Sequence, residues 1–306
     1  MATLRRSRMH RTRTAKPLAL TPRDFEIFRC LVRYRYLRLT HLHAFAGGVS
    51  AKRFVERLGD LFHQGFIDRP AQQWQIAKAR CQPALYEIGN RVQRVLEHVG
   101  GGDLLQRTFL APTAHRQLAH SVAICECLAS IELESTEQPG LRFIPWGEIL
   151  VRAPQATRAS ALPFRMPANG TGAAVIPDGV FGLEYRSGDE KAYRLFALEI
   201  DRGTMPVSRT DTRNTSLLGK MKAYDEVIAE QLYRTQWGVP NLLVLAVTSD
   251  AHRLADIANR AASLTAARHF LFKAMESSGS ELRVPPGQFL LQSWQRPGLP
   301  PLGIAC

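Results

Sequence analysis

Apolar residues recur at helical spacing in three stretches near the start of the chain, and each stretch follows a residue suited to cap a helix. The segment Thr21-Pro22-Arg23-Asp24 supplies an N-cap, a proline at the first helical position and an acid in the first turn. Thr40 precedes a short helix expected over residues 41–45, and Ser50 precedes a longer one over residues 51–64. The pattern predicts three successive helices.

The third of these helices has one apolar side and a basic first half. Its predicted buried stripe consists of Phe54, Val55, Leu58, Leu61 and Phe62. Three cations near its start are expected to face outward, namely Lys52, Arg53 and Arg57. Arginine can donate two hydrogen bonds to a guanine edge, and lysine can fix a phosphate. This placement is therefore typical of a recognition helix in the major groove of DNA.

Two short strand candidates follow, over residues 66–69 and 85–88, and a helix is expected over residues 90–98. The segment between the strands contains Lys78 and Arg80, which are further candidate DNA contacts. Three helices followed by a two-stranded ribbon and a helix predict a winged helix-turn-helix. A small helical domain with an ordinary basic face is the alternative.

The second half of the chain mixes helical and strand patterns. We expect a helix over residues 116–132, strands over 141–151, 175–181 and 193–201, a helix over 215–234, a strand over 242–247 and a helix over 252–275. The segment Ser187-Gly188-Asp189-Glu190 marks a hairpin turn between the second and third strands. The expected fold class is α+β or α/β, with the order αβββαβ in the second half.

The hairpin brings two acids together. If it turns at Gly188-Asp189, residues whose numbers sum to 377 lie opposite one another, and Asp178 with Glu199 is such a pair. Two carboxylates this close repel unless a proton or a cation lies between them, so we expect a divalent metal site. Period-2 alternation adds Asp201 to the face of Glu199. An exposed strand end with solvated acids remains the alternative.

The net charge of the chain indicates which kind of partner it binds. The 306 residues carry a net charge of +13, which favours polyanions and, inside a cell, nucleic acid. The first sixteen residues hold six cations and no acid: Arg5, Arg6, Arg8, Arg11, Arg13 and Lys16. Such a segment is expected to be disordered when free. It is either an arm that lies on DNA or a solubilising tail.

Other chemistries find no support in the sequence. The five cysteines form no CxxC pair, and Cys125 and Cys127 are expected to be packing residues. His41-Leu42-His43 matches a metal-binding relaxase signature, but on a helix two residues so spaced diverge. Phosphate-loop, HExxH and GxSxG motifs are missing. No apolar stretch is long enough to span a bilayer or direct export, so a cytoplasmic location on the nucleoid or a plasmid is expected.

The second half of the chain resembles the PD-(D/E)xK restriction-endonuclease-like fold, through Pro177-Asp178 on the second strand and Glu199-Ile200-Asp201 on the third. From Thr21 onward the chain is also similar to the bacterial replication-relaxation family of plasmids and other mobile elements. The segment Leu198-Glu199-Ile200-Asp201-Arg202-Gly203-Thr204, followed by Lys220 and Tyr224, is the most specific part of that similarity. The Leu20–Asp24 segment, the His120 helix and Pro177-Asp178-Gly179 add to it.

Together with the patterns above, the resemblance implies three regions: a basic arm over residues 1–20, a winged helix over 21–110 and a nuclease-like domain over 111–306. It implies a site in which Asp178 and Glu199 hold Mg²⁺ or Mn²⁺. Active nucleases of this fold place a lysine where Asp201 stands here, so Lys220 or Lys222 is the candidate for the missing cation. The candidate catalytic set is Asp178, Glu199, Asp201 and Lys220.

Three functions are consistent with these patterns. The first is a DNA-binding protein of a replication or relaxation complex whose nuclease-like domain is a scaffold. The second is a metal-dependent nicking endonuclease that the winged helix targets to double-stranded DNA. The third is a transcriptional regulator. Replication or mobilisation proteins and a second copy of the chain are further candidate partners, and no membrane is expected.

Overall fold

The computed structural model describes residues 7–12, 17–48, 50–75, 82–92, 118–167, 174–202, 217–275, 277–278, 281–282, 285–287 and 289–305. The chain divides into two compact units, residues 1–129 and 130–306. Both units combine helices with strands, which confirms the mixed α and β class. No helix in the described part of the chain has the length and apolar character that crossing a membrane requires.

The first unit begins with three helices: α1 (Pro22–Tyr34), α2 (Leu39–Ala46) and α3 (Ala51–His63). Two of the predicted caps are confirmed. Thr21 is the N-cap of α1, with proline next to it, and the Ser50 side chain accepts from the backbone N–H of Arg53. The cap predicted at Thr40 is wrong, because α2 already begins at Leu39 and Arg38 is its N-cap.

A three-stranded antiparallel sheet completes the described part of this unit. Its strands are β1 (Leu37–Arg38), β2 (Ile67–Asp68) and β3 (Leu85–Ile88), in the order β1-β3-β2. Both predicted strands are present. The sequence pattern missed β1, because two residues are too few to show alternation and β1 forms by pairing with the distant strand β3.

The core of the first unit lies between α1, α3 and the sheet. Phe54, Leu58, Leu61 and Phe62 are buried along α3 as predicted, but Val55 is 45% exposed. Val55 lies at the flank of the stripe, where a helical position can face water. The first residues of α4 (Leu118–Thr136) add to the same core, with Cys125 donating its thiol to the carbonyl of Tyr34 at 2.6 Å. Burial of Cys125 raises its pKa to about 12.

The second unit is built on a seven-stranded sheet in the order β14-β13-β10-β9-β8-β7-β4. Its strands are β4 (Leu141–Pro145), β7 (Gly179–Ser187), β8 (Glu190–Asp201), β9 (Leu243–Thr248), β10 (Phe270–Ala274), β13 (Trp294–Arg296) and β14 (Leu299–Leu302). The central strands β8, β9 and β10 run parallel, and the other neighbours pair antiparallel. Two small hairpins lie outside this sheet: β5 (Met166–Pro167) with β6 (Ala174–Val175), and β11 (Ser277–Ser278) with β12 (Glu281–Leu282).

Short helices connect these strands. They are α5 (Trp146–Arg152), α6 (Gln155–Ala159), α7 (Leu217–Ala229), α8 (Leu232–Trp237) and α9 (Ala251–Ala261), with a 3-10 turn at Ala267–His269. The Asp250 side chain caps α9 by accepting from the backbone N–H groups of His252 and Arg253. Omitting the small hairpins and short connecting helices, α4, β4, β7, β8, α7 and β9 follow one another along the chain.

Several predicted elements of this unit have different bounds. The strand expected over 175–181 is divided into β6, which ends at Val175, and β7, which begins at Gly179, so Pro177 and Asp178 lie between two strands and not on the second one. The strand expected over 141–151 ends at Pro145, and α5 begins at the next residue, Trp146. The helix expected over 215–234 is divided after Ala229, because Gln231 takes a left-handed conformation. The helix expected over 252–275 ends at Ala261. The apolar residues at the end of the expected helix form β10 instead, and β10 pairs parallel with β9. A short apolar segment beside the unpaired edge of a strand gains backbone hydrogen bonds there.

The register of the β7–β8 hairpin is confirmed. Ser187 lies opposite Glu190 and Gly179 lies opposite Leu198, so paired residue numbers sum to 377 along the whole ladder. Gly188 takes φ +60° at the turn, a conformation that glycine adopts without steric cost. The strand beginning at Gly179 therefore places Asp178 beside Glu199.

Candidate functional site

Asp178 and Glu199 meet at the end of the hairpin. Asp178 directly precedes β7, and its Oδ2 accepts the backbone N–H of Ile200 at 2.8 Å. Glu199 lies on β8 between the parallel neighbour β9 and the antiparallel neighbour β7, and it is buried. The two acids are thus held by the backbone of the hairpin itself.

Helix α7 supplies a cation to this pair. Lys220 forms an ion pair with Oε2 of Glu199, and its Nζ lies 3.6 Å from Oδ1 of Asp178. Tyr224, one helical turn later, donates its hydroxyl to Oε1 of Glu199 at 2.7 Å. We call Asp178, Glu199, Lys220 and Tyr224 the acidic cluster. Both oxygens of Glu199 are therefore hydrogen-bonded although the side chain is buried, as a buried carboxylate requires.

The charges of the cluster depend on each other. Burial raises the pKa of Glu199 to about 7, while Lys220 acts to lower it and Asp178 acts to raise it. Burial disfavours the charged form of Lys220, but the carboxylates of Glu199 and Asp178 hold its pKa above the ordinary value. Burial and the adjacent carboxylate of Glu199 raise the pKa of the Tyr224 hydroxyl. Lys220 is therefore an ammonium ion at neutral pH, and Tyr224 is a neutral donor.

Asp201 takes a different partner. It lies on the same face of β8 as Glu199, as the alternation predicts, but its carboxylate pairs with Arg253 of α9. Lys222 is exposed on α7. The structure thus brings Asp178, Glu199 and Lys220 together, whereas Asp201 is neutralised separately.

The donor set of the cluster fits a hard divalent cation. Oδ1 of Asp178 and Oε2 of Glu199 both face the Lys220 ammonium, so these oxygens converge on one region. Carboxylate oxygens are the ligands that Mg²⁺ prefers, and one or two of them suffice when phosphate oxygens complete the shell. No group of three or more His, Cys, Asp or Glu side chains suited to a metal occurs among the described residues. The Lys220 ammonium lies where these two oxygens converge, so a divalent cation would bind there in its place.

The first unit presents a basic surface at the start of α3. Lys52 and Arg53 are exposed on its first turn. Arg57 does not face outward as predicted. Its guanidinium forms an ion pair with Asp24, which is fully buried, and also donates to the carbonyl of Ala19 at 2.7 Å. Spacing along α3 could not reveal this, because Asp24 belongs to another helix.

Part of the amino-terminal basic segment packs on the first unit. Arg8 donates to the carbonyl of Gln82 at 2.6 Å, and Arg11 pairs with Asp68 at 2.9 Å. Arg11 also donates to the carbonyl of Phe62 at 3.1 Å. Residues 7–12 therefore differ from the expectation of a free arm. The other predicted DNA contacts of the segment, Arg5, Arg6 and Arg13, lie outside the described residues, as do Lys16, Lys78 and Arg80.

The two histidines of the relaxase-like signature lie on α2, as expected. His41 is buried, and burial lowers its pKa to about 4. The ring of His43 packs on Phe54, with 4.9 Å between ring centroids. Both side chains therefore have packing roles in the first unit.

A family model described as replication-relaxation matches residues 34–243, which is more than half of the chain. The chain belongs to the replication-relaxation family. No curated protein and no solved structure matches it. The part matched to the replication-relaxation family begins at the last residue of α1 and ends at the first residue of β9, so it contains both the start of α3 and the acidic cluster.

Two contributors to these sites, Arg253 and Arg23, were not predicted from the sequence of this member of the replication-relaxation family, and Tyr224 was named only for the resemblance, without a role. Arg253 neutralises Asp201, and Tyr224 donates to Glu199. The spacing of Tyr224 four residues after Lys220 is a usable signal, since such residues share a helix face. Arg23 of α1 places its guanidinium against Gly48, just before the Ser50 cap. Nothing in the local sequence around Arg23 or Arg253 indicates these positions.

Proposed function

We propose that the first unit is a winged helix that binds double-stranded DNA through α3. The order α1, β1, α2, α3, β2, β3 and the sheet order β1-β3-β2 support this fold. The observation that carries the proposal is the exposure of Lys52 and Arg53 on the first turn of α3, while its opposite side is buried in the core. A helix so placed can enter a major groove and contact base edges near its start.

Neighbouring charges support the same surface. The guanidinium of Arg23 adjoins the α2–α3 turn, so a third cation lies near the start of α3. The net charge of +13 favours association with a polyanion over the whole chain. Arg57 serves this surface indirectly, because its ion pair with Asp24 holds α3 against the start of α1.

Membership of the replication-relaxation family supports a role in replication or relaxation of plasmids or other mobile elements. In this proposal the chain recognises its DNA with the first unit. The second unit then acts on that DNA or assembles with replication or mobilisation proteins.

The binding claim is tested with selected duplexes and charge variants. Binding of fluorescent DNA is measured for Lys52→Ala and Arg53→Ala at several salt concentrations, with Arg158→Ala as the control. Arg158 is an exposed arginine on α6 of the second unit, so its replacement removes one positive charge that is not on α3. We expect Arg53→Ala to weaken specific binding by about 10-fold, and Arg158→Ala to leave it unchanged. If Arg53→Ala and Arg158→Ala change the affinity for DNA equally, α3 is not the contact surface.

The convergence of Asp178, Glu199 and Lys220 favours a second candidate function, a metal-dependent nicking endonuclease. The chain order α4, β4, β7, β8, α7, β9 supports a restriction-endonuclease-like domain, in which the lysine has moved from the position of Asp201 to α7. Mg²⁺ or Mn²⁺ bound to the two carboxylates would supply Lewis-acid chemistry to a phosphodiester. With a metal ion in place, the Lys220 ammonium would turn from the carboxylates to the phosphate, where negative charge develops, and Tyr224 would orient Glu199.

Supercoiled plasmid tests the second function. An endonuclease converts it to nicked circles in the presence of Mg²⁺ or Mn²⁺, and Asp178→Ala, Glu199→Ala and Lys220→Met should each abolish nicking. Asp189→Ala is the control, because Asp189 is an exposed acid at the hairpin turn. Absence of nicking with either metal by the folded wild-type chain would leave the second unit as a scaffold.

A further inference from the structure

The outward side of α3 has an apolar residue and a gap next to its cations. Val55 is 45% exposed, three residues after Lys52, so the two side chains are neighbours on the helix surface. Gly59 lies one turn beyond Val55. We call Lys52, Val55 and Gly59 the α3 strip.

Gly59 has no evident structural reason to be glycine. It lies in the middle of α3, where glycine is a poor helix former compared with alanine. A Cβ added at Gly59 would meet nothing within 4 Å. Neither tight packing nor a left-handed backbone therefore requires it, unlike Gly89, whose added Cβ would clash with the backbone of Phe66. A glycine in open space on an exposed helix permits close approach by another molecule.

The occupant must match both the charge and the apolar contact of the strip. The exposed side of α3 carries two cations, Lys52 and Arg53, and one acid, Glu56, so its excess of positive charge lies at the start of the helix and favours a phosphate backbone there. In the major groove, the apolar group within reach of an aliphatic side chain is the 5-methyl group of thymine. A branched aliphatic side chain placed between a lysine and a gap is suited to contact this methyl group while the DNA backbone passes close to the helix.

We infer that Val55 is a specificity-determining residue that contacts a thymine methyl group, and that Gly59 provides the clearance for the DNA to approach α3. This inference rests on the proposed function of the first unit and extends it from a charged surface to an apolar base contact. It assigns to α3 a preference for thymine at one position of the target.

The experiment begins by selecting duplexes from a random pool with the full chain. Each thymine of the selected site is then replaced by deoxyuridine, which removes only the methyl group. For the wild-type chain, one such replacement should weaken binding about 4-fold, the value expected from one buried methyl group. Val55→Ala should bind the thymine and deoxyuridine duplexes equally. Val151→Ala, which truncates a valine 64% exposed on α5, should keep the wild-type discrimination.

Gly59→Ala gives a second, independent result. The variant should raise the unfolding midpoint slightly, because alanine favours a helix, yet weaken binding to the selected duplex at least 10-fold. Greater stability with lower affinity excludes misfolding as the cause. If both Val55→Ala and Gly59→Ala bind the selected duplexes as tightly as the wild-type chain, the inference is wrong and the proposed function still stands. Absence of any selected sequence would overturn both.

Discussion

The ion pair between Asp24 and Arg57 allows a quantitative prediction about the first unit. Asp24 is fully buried and also accepts from the backbone N–H and the hydroxyl of Thr21, at 2.7 Å and 2.8 Å. The Arg57 side chain is 25% exposed. Arg57→Met would leave a buried carboxylate without its cation, a change that typically costs about 3–5 kcal/mol. Because Thr21 still donates to Asp24, we expect about 3 kcal/mol.

The reverse change should cost less. In Asp24→Asn the partner left behind is Arg57, which can turn toward water, so we expect about 1–2 kcal/mol. The double variant should cost less than the sum of the single variants, because each removes the same interaction. Hydrogen exchange of α1 and α3 along a urea series measures this unfolding separately from that of the second unit. Effects below about 1 kcal/mol for both single variants would refute the reasoning and indicate a solvent-screened pair.

The same ion pair predicts that the pH dependence of stability changes sign when Arg57 is replaced. Burial acts to raise the pKa of Asp24, but the hydrogen bonds from Arg57 and Thr21 outweigh it and hold that pKa below its ordinary value. A lowered pKa stabilises the folded state above the unfolded pKa of about 4, and this stability is lost as the pH falls below it. In Arg57→Met burial should raise the pKa of Asp24, so stability should instead fall as the pH rises above about 4. The midpoint of α1 and α3 unfolding between pH 3 and pH 7 distinguishes the two slopes.

Three further predictions concern the rest of the chain. Because the pKa of Glu199 is raised to about 7, its contribution to stability is complete below pH 4.5 and is lost as the pH rises toward 7. Glu199→Gln should flatten that part of the stability profile of the second unit. Glu134 accepts from the backbone N–H groups of Phe289 and Leu291 at 2.8 Å and 3.0 Å, so Glu134→Gln should increase proteolysis around residues 285–291. Cys125, with its raised pKa, should react with iodoacetamide only after unfolding, as peptide mass spectrometry can establish.

Local signals were sufficient for some features of this fold. A glycine-containing turn and period-2 alternation fixed the register of β7 and β8, and with it the pairing of Asp178 and Glu199. Ser50 and Thr21 have side chains and neighbours that define helix starts without reference to distant residues. Each of these predictions depends on chemistry within a few residues.

Features that depend on distant partners were not predictable in this way. β10 has an apolar run that suits either a helix or a strand, and only the open edge of β9 decides between them. The direction of Arg57 depends on Asp24, 33 residues away, and that of Asp201 depends on Arg253. A buried charge often pairs with a residue that is distant in the sequence, and local sequence patterns do not indicate which residue that is.

The turn at Gly188-Asp189 has a consequence for how this protein can evolve. Inserting or deleting one residue there would shift the ladder by one position, and the partner of Asp178 would then be a residue whose side chain lies on the opposite face of the sheet. A length change elsewhere in the surface loops carries no such penalty. Descendants that keep the Asp178–Glu199 pair should therefore tolerate substitutions in this turn but not a change in its length.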